Sequence, residues 1–330
     1  MNATAAPALF ERPPSPGSAG YSRDVAGERL QPQWSGRLNA TPQPRPSFLG
    51  CVGGEILKLR RQGMTWAMLG LAVFFFAMVA GALTTADNVR HTLEKTPSSF
   101  MFSMYDVYLT IFDVGSGIFL LVVSARLVGM EYSGGTIRVL LARGAGRVRL
   151  LLAKLSALAL VGIILLAGFI ALAAAALYAT VVHWEGSFEK ISSLPGTVWH
   201  DLGVNVLVAL ASMGAAILIG TAAAVLGRSL AFGIGAALIL YPADNVITVA
   251  LPLFKALTGG DFWLQASAYL LGPNLDVLPV VMQADHAARA AFVTPLVKVD
   301  ATHAWLVVGA WALALAVAAI GLSRRRDVLQ

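Results

Sequence analysis

The stretch MEYSGGTIRVLLARGAGRVRLLLAK, residues 130–154, decides how the rest of the chain is interpreted. It lies between two long apolar segments, is rich in arginine, and contains no acidic residue after Glu131. Its apolar residues recur at helical spacing, and glycines at 134–135 and at 144 and 146 interrupt them. The pattern therefore predicts a short helix between glycine-rich turns, leading into the next long helix. A basic loop between apolar segments is also what the charge rule for cytosolic loops of membrane proteins produces.

The composition around this stretch is that of a membrane protein. Of the 330 residues, 57% are hydrophobic and 13% are charged, whereas a soluble domain carries roughly 25% charged residues. The mean hydropathy is +0.71. The single cysteine, Cys51, excludes an internal disulfide and a cysteine-rich metal site.

Six apolar segments are each close to the ~20 residues that cross a bilayer core. They are residues 66–86, 107–129, 155–182, 203–226, 230–249 and 304–322. We therefore predict an all-α fold, a polytopic membrane protein with six transmembrane helices. The segment between the fifth and sixth spans, Leu251–His303, is apolar but broken by glycines and prolines. It predicts short re-entrant helices, because non-helical backbone at membrane depth must be covered by protein or face water.

The chain before the first span divides into two parts. Residues 1–47 hold eight of the fifteen prolines and few aliphatic side chains, which predicts a disordered, proline-rich cytosolic tail. Residues 48–62 are amphipathic and basic, which predicts an interfacial helix at the cytosolic headgroups. The remainder, 48–330, is predicted to be one transmembrane domain.

The distribution of charge predicts the orientation of the six spans. With both termini in the cytosol, eighteen of the 24 Lys and Arg residues lie inside, and twelve of the 18 acidic residues lie outside or toward the outer side. The reversed topology would place the basic majority outside, against the positive-inside rule. Both termini are therefore predicted to be cytosolic.

The order of residues in the opening stretch is more specific than its composition. It resembles the hallmark loop of ABC-2-type transporter permeases through Glu131, Gly135-Thr136-Ile137-Arg138, Leu140-Leu141, Arg147 and Leu150–Leu155. The helix before the first span, the broken segment before the sixth, and the basic ending Ser323–Asp327 are similar to the corresponding parts of that family. The resemblance covers about residues 48–330.

The resemblance implies a function and a set of partners. The chain would be the membrane-spanning permease subunit of an ATP-driven exporter in a bacterial inner membrane. It would pair with a second permease, either an identical copy or a paralogue. A separate ATPase subunit would dock on the loop through Glu131, Gly135, Thr136 and Arg138. The alternative for this loop is a local ion pair between Glu131 and Arg138.

The sequence offers no nucleotide site of its own. The pattern GxxxxGK[ST] is absent, so no cofactor and no catalytic residue are expected in this chain, and ATP and Mg would be bound by the partner subunit. Nucleic-acid binding is not expected, because the basic loop lies at a membrane surface. The five histidines show no spacing typical of a metal site.

Two acidic residues within the spans are candidates for the translocation path, since charges at membrane depth are functional candidates by default. Asp113 lies beside Gly115 and Gly117 in the second span, and Asp244 follows Pro242 in the fifth. Asp113 has two other interpretations, a partner on a neighbouring helix or a place at the outer interface. The alternative for Asp244 is a plain proline kink.

Two other classes of protein fit a six-span chain less well. A membrane-embedded lipid-modifying enzyme would show clustered acids or histidines, and only isolated acids are apparent in the spans. A secondary transporter would show broken helices in two repeated halves, and only the fifth span is interrupted by proline. Neither class accounts for the residue order of 130–154.

Overall fold

The computed structural model describes residues 47–135, 146–283 and 293–325, and every regular element in these ranges is a helix. The predicted disordered tail lies almost entirely outside the described residues. So does the short helix predicted within the loop, together with Thr136 and Arg138. These expectations stay predictions.

Six of the helices are long and apolar enough to cross a membrane, which confirms the all-α, six-span fold class. In chain order the helices are α1 Phe48–Arg60, α2 Gly63–Thr84, α3 Asp87–Lys95, α4 Pro97–Ser133, α5 Arg147–Glu185, α6 Glu189–Ser192, α7 Gly196–Gly227, α8 Leu230–Thr258, α9 Phe262–Ala266, α10 Leu271–Met282 and α11 Ala301–Arg325. The long helices are α2, α4, α5, α7, α8 and α11. Helix α1 occupies the position predicted for the interfacial helix, and α9 and α10 lie where re-entrant helices are predicted.

The ends of the long helices follow local sequence signals. Pro97 is in the first turn of α4, where its missing N–H costs nothing. Ser229 caps α8 by accepting a hydrogen bond from the backbone N–H of Phe232. Helices α5 and α8 end at Gly186 and Gly259, each with φ of 73°, a left-handed conformation that glycine adopts without the penalty of a Cβ.

Two long helices extend beyond their apolar segments. The second span, expected from residue 107, belongs to a 37-residue helix that begins at Pro97, so part of the expected polar loop is helical. The fifth, expected to end at Val249, continues through Pro252 to Thr258. The physical reason is that hydropathy identifies only the part of a helix that is stable in lipid. The helix itself continues for as long as its backbone hydrogen bonds can form. A proline removes only one of them locally.

Helices α4 and α7 form the centre of the bundle. About half of the apolar stretch of each is buried, 56% and 50%, against 11% for α2 and 17% for α8. Their backbones approach closely at Gly220, where an added Cβ would lie 2.5 Å from the carbonyl oxygen of Leu121. Small residues permit such contact between membrane helices, where packing replaces the hydrophobic effect as the driving force.

The end of α4 and the start of α5 lie at one end of the bundle, which we call the loop end. The turn between α7 and α8 is also there, because the backbone N–H of Leu230 donates to Oγ of Ser133. The last turn of α11 joins them, since the Arg147 guanidinium donates to the carbonyl oxygen of Arg324. Helices α9 and α10 lie at the opposite end, which we call the far end.

Candidate functional site

Four charged side chains from three helices meet at the loop end, and we call them the four-charge cluster. Glu55 and Lys58 belong to α1, Glu131 to the last turn of α4, and Lys154 to the start of α5. The Lys154 ammonium lies 2.8 Å from Oε2 of Glu55 and 2.7 Å from Oε1 of Glu131. The Lys58 ammonium lies 2.8 Å from a carboxylate oxygen of each glutamate. Each lysine therefore bridges both carboxylates.

The cluster is largely closed to solvent. Glu55, Lys154 and Glu131 are 2%, 3% and 6% exposed, while the Lys58 side chain is 42% exposed. Two carboxylates and two ammonium groups carry no net charge. This balance is what permits their burial, because an unpaired charge in such a place is strongly unfavourable.

Lys58 forms the solvent-facing edge of this cluster. Partial burial acts to lower its pKa, but hydrogen bonds to the Glu131 and Glu55 carboxylates and their negative charge outweigh that effect. The pKa of Lys58 is therefore raised above its ordinary value of 10.5. Lys58 stays charged at neutral pH and keeps the cluster balanced.

The cluster joins the two ends of the basic loop to each other. Glu131 precedes the loop and Lys154 follows it, and their direct ion pair links the end of α4 to the start of α5. Lys154 also lies 3.4 Å from the carbonyl oxygen of Leu127, one turn further back in α4. Glu55 extends the linkage to α1. Three elements are thus connected at the base of the loop by buried charge-assisted bonds.

The structure describes two of the four residues predicted to dock an ATPase. Glu131 points inward to Lys58 and Lys154, and its carboxylate is buried among residues of this chain. Gly135 is the last described residue before the loop and has φ of 64°, which favours glycine. Thr136 and Arg138 lie outside the described residues. As docking residues all four stay predictions.

Sequence reasoning missed Glu55 and Lys58 and treated Lys154 only as part of the loop pattern. The sequence does contain one indication of this cluster. Glu55 and Glu131 are the acidic residues of the predicted cytosolic side between residue 48 and the basic ending. Two isolated acids in basic, half-apolar surroundings favour pairing with cations. Which cations they would contact depends on how α1 crosses α5, and the sequence does not show that.

Asp113 lies half-buried in α4, facing α8. Tyr241 precedes Asp244 by three residues in α8, so the two side chains are neighbours on one face of that helix. The Tyr241 hydroxyl packs against Gly117, one turn from Asp113 in α4. The structure therefore brings both sequence-predicted acids, Asp113 and Asp244, into the surroundings of one tyrosine. Their role in a translocation path stays a prediction.

Asp244 has a structural role in joining two helices. Its carboxylate accepts hydrogen bonds from the backbone N–H groups of Gly272 and of Asn245. Gly272 is in the first turn of α10, so Asp244 places a negative charge at the N-terminal end of that helix, where the helix dipole favours it. Asp244, two residues after Pro242, thus fastens α10 to α8. Among the described residues, no group of three or more His, Cys, Asp or Glu side chains is placed to hold a metal ion.

The chain matches a known protein family. The sequence model described as ABC-2 family transporter protein matches residues 52–244, which is more than half of the chain. No curated protein matches the chain. The matched range includes the whole four-charge cluster, the basic loop, and both intramembrane acids.

Proposed function

Because the chain belongs to the ABC-2 family of transporter proteins, we propose that it is the membrane-spanning permease subunit of an ATP-driven exporter. A separate ATPase subunit docks on the loop 130–154 and supplies ATP hydrolysis, with ATP and Mg bound there. The permease pairs with a second copy or a paralogue in a bacterial inner membrane, with its loop end and both termini in the cytosol.

One observation carries the coupling part of this proposal, namely the four-charge cluster at the base of the loop. A partner that moves the loop pulls on the end of α4 and the start of α5, and these are tied to each other by the Glu131–Lys154 ion pair. Because α4 packs at the centre of the bundle, a displacement of its end reaches the helices around it. The cluster therefore links the two helices that flank the loop, so that a force on one of them is transmitted to the other.

The residues of the loop take different roles under this proposal. Arg138 is the docking residue, because a guanidinium pairs well with a carboxylate on a partner. Gly135 lets the backbone turn away from α4 into the loop. Glu131 is a positioning residue, since its carboxylate is engaged with Lys58 and Lys154.

The docking proposal is tested by affinity purification of the full chain from its native host in mild detergent. We expect an ATPase carrying GxxxxGK[ST] to co-purify with wild type. Arg138→Glu is expected to reduce the recovered ATPase by roughly tenfold or more, as when a buried interfacial charge pair is broken. Arg228→Glu, a charge reversal in the other turn at the loop end, is the matched control and should retain the ATPase.

A second variant separates docking from coupling. Glu131→Gln keeps the shape of the side chain and removes its charge, whereas Glu131→Lys would place a third lysine beside one carboxylate and disturb folding. We expect Glu131→Gln to retain the ATPase but to lose most ATP-driven transport in reconstituted vesicles. Absence of any ATPase from well-folded wild type would overturn the proposed function, and equal loss with Arg228→Glu would overturn the assignment of the docking surface.

A further inference from the structure

A pocket of about 620 Å³ lies at the far end of the molecule, distant from the four-charge cluster. It is an open depression bordered by α9, the 3₁₀ turn Ser267–Tyr269, and the segment that leads into α11. The lining residues are Gln265, Ala268, Tyr269, Val297, Lys298, Val299, Asp300 and His303. The volume falls within the roughly 300–1,000 Å³ typical of small-molecule sites.

The walls of this pocket are fixed by hydrogen bonds. The His303 ring Nε2 lies 2.8 Å from the carbonyl oxygen of Ala268, which joins α11 to the 3₁₀ turn. The indole N–H of Trp311 donates to the carbonyl oxygen of Tyr269 at 2.9 Å. The backbone N–H of Leu296 donates to Oγ of Ser267 at 2.8 Å. The concave shape therefore exists before any ligand arrives, which reduces the entropy lost on binding.

The polar lining carries one charge of each sign. Lys298 is exposed and makes no ion pair with the part of the chain that the structure describes. Asp300 uses Oδ1 to accept the backbone N–H of His303 at 2.8 Å, and so caps α11, while its charge remains on the rim. The rings of Tyr269 and His303 stand edge to face with centroids 5.4 Å apart and add an aromatic wall.

The exposed aromatic side chains indicate where this pocket lies relative to lipid. Phe262 and Tyr269 are 69% and 63% exposed, and Trp311, which holds the pocket wall, is 41% exposed. Trp311 is ten residues inside α11, whereas Tyr269 packs against His303 at the start of α11, and an exposed Tyr at the end of a transmembrane helix is typical of the headgroup level of a bilayer. The pocket opens at that level, where amphipathic molecules present their polar groups.

We propose that this pocket binds the zwitterionic headgroup of an amphipathic molecule, its anionic group on Lys298 and its cationic group on Asp300. A lysine ammonium is a point charge suited to phosphate, and an ammonium group meets the carboxylate of Asp300. Phosphoethanolamine has both groups. The ligand is either a phospholipid of the surrounding leaflet or a free molecule of the same headgroup chemistry. The proposal goes beyond the transport function and does not depend on the ATPase.

Native mass spectrometry of the full chain in detergent tests this proposal, with phosphatidylethanolamine and phosphatidylglycerol added in turn. We expect one tightly retained phosphatidylethanolamine per chain. Lys298→Gln and Asp300→Asn should each weaken its binding by roughly twofold to fivefold, as for an exposed ion pair. Asparagine still caps α11, so the second variant removes only the charge. Lys190→Gln, at another exposed lysine of the far end, is the matched control.

The outcomes separate the proposal from its alternatives. Phosphatidylglycerol, which lacks the ammonium group, should bind more weakly to wild type and should not be weakened by Asp300→Asn. Competition by soluble glycerophosphoethanolamine at a similar concentration would identify a free headgroup as sufficient, and its failure would identify the lipid as the ligand. The proposal is overturned if Lys298→Gln and Asp300→Asn bind phosphatidylethanolamine like wild type, or if Lys190→Gln loses it equally.

Discussion

The residue on which the loop end depends most is Lys154. Its ammonium contacts two buried carboxylates and a backbone carbonyl oxygen, and it is itself only 3% exposed. Without it, Glu55 and Glu131 would share the single positive charge of Lys58. The ion pairs do not make this region more stable than apolar packing would, but removal of one partner exposes the full cost of burying the other charges.

We therefore expect Lys154→Met to lower the free energy of unfolding by about 3–5 kcal/mol, as when one partner of a buried ion pair is removed. Thermal unfolding of the purified protein in detergent measures this. Lys190→Met, which removes an exposed ion pair with Glu185, is the control and should cost less than about 1 kcal/mol.

A double variant checks the cause of that loss. Lys154→Met combined with Glu131→Leu leaves Glu55 and Lys58 as a neutral pair, and we expect it to be more stable than Lys154→Met alone. A double variant that is less stable than the single one would show that the loss comes from packing and not from an uncompensated charge.

The exposed edge of the cluster predicts a pH dependence. Because the pKa of Lys58 is raised by its carboxylate partners in the folded state, its contribution to stability is fully present below about 10.5 and is lost as the pH rises through the raised value. The stability difference between wild type and Lys58→Gln should stay constant from about pH 7 to pH 10 and shrink above that range. A difference that vanished by about pH 9 would contradict the ion pairing of Lys58.

At the scale of elements, the contact between α4 and α7 sets the geometry of the bundle. Gly220 has no room for a side chain, since an added Cβ would meet the backbone of α4 at Leu121. Gly214, in the same helix, has nothing within 4 Å of the corresponding position. The two glycines therefore differ in packing and not in helix propensity.

We expect Gly220→Ala to lower the free energy of unfolding by about 1–3 kcal/mol through overpacking. Gly214→Ala should be neutral or stabilising by up to about 1 kcal/mol, because alanine favours helix over glycine. Chemical denaturation in detergent micelles compares the two. Similar losses in both variants would mean that glycine flexibility, and not the close approach of α4 and α7, is what this helix requires.

For the whole molecule, labelling of single cysteines from either side of the membrane tests the proposed orientation. The chain has one cysteine, Cys51, so a Cys51→Ser background allows single cysteines to be placed at will. We expect Ser193→Cys, at the far end, to react with a membrane-impermeant maleimide in intact cells. Arg228→Cys, at the loop end, should react only after permeabilisation. The reverse pattern would overturn the positive-inside assignment.

Much of the fold is readable from the sequence because lipid imposes a simple requirement. A segment that crosses a bilayer must be apolar over about 20 residues and must satisfy its own backbone, which only a helix does within one segment. Residues 155–182 meet that requirement and fall within α5. The first and last residues of each helix are harder to predict from the sequence. Helix α4 begins at Pro97, ten residues before its apolar stretch. A helix can extend out of the lipid into water, because its backbone hydrogen bonds are formed within the helix.

The site was only partly readable for a different reason. Glu131 stands out in the sequence as the last acid before a basic loop, but its partners are 23 residues later at Lys154 and 73 residues earlier at Lys58. Asp244 stands out as a charge at membrane depth. In the structure its carboxylate accepts a hydrogen bond from the backbone N–H of Gly272, at the N-terminal end of α10.

The sequence by itself determined that this protein is an all-α membrane protein with six spans and a basic loop of the ABC-2 kind, because hydropathy, charge distribution and residue order are local properties of the chain. Only the tertiary structure decided which charges neutralise one another at the base of that loop and which residues line the pocket at the far end. Both depend on how helices distant in sequence cross, and crossing is set by packing between side chains that no local pattern brings together.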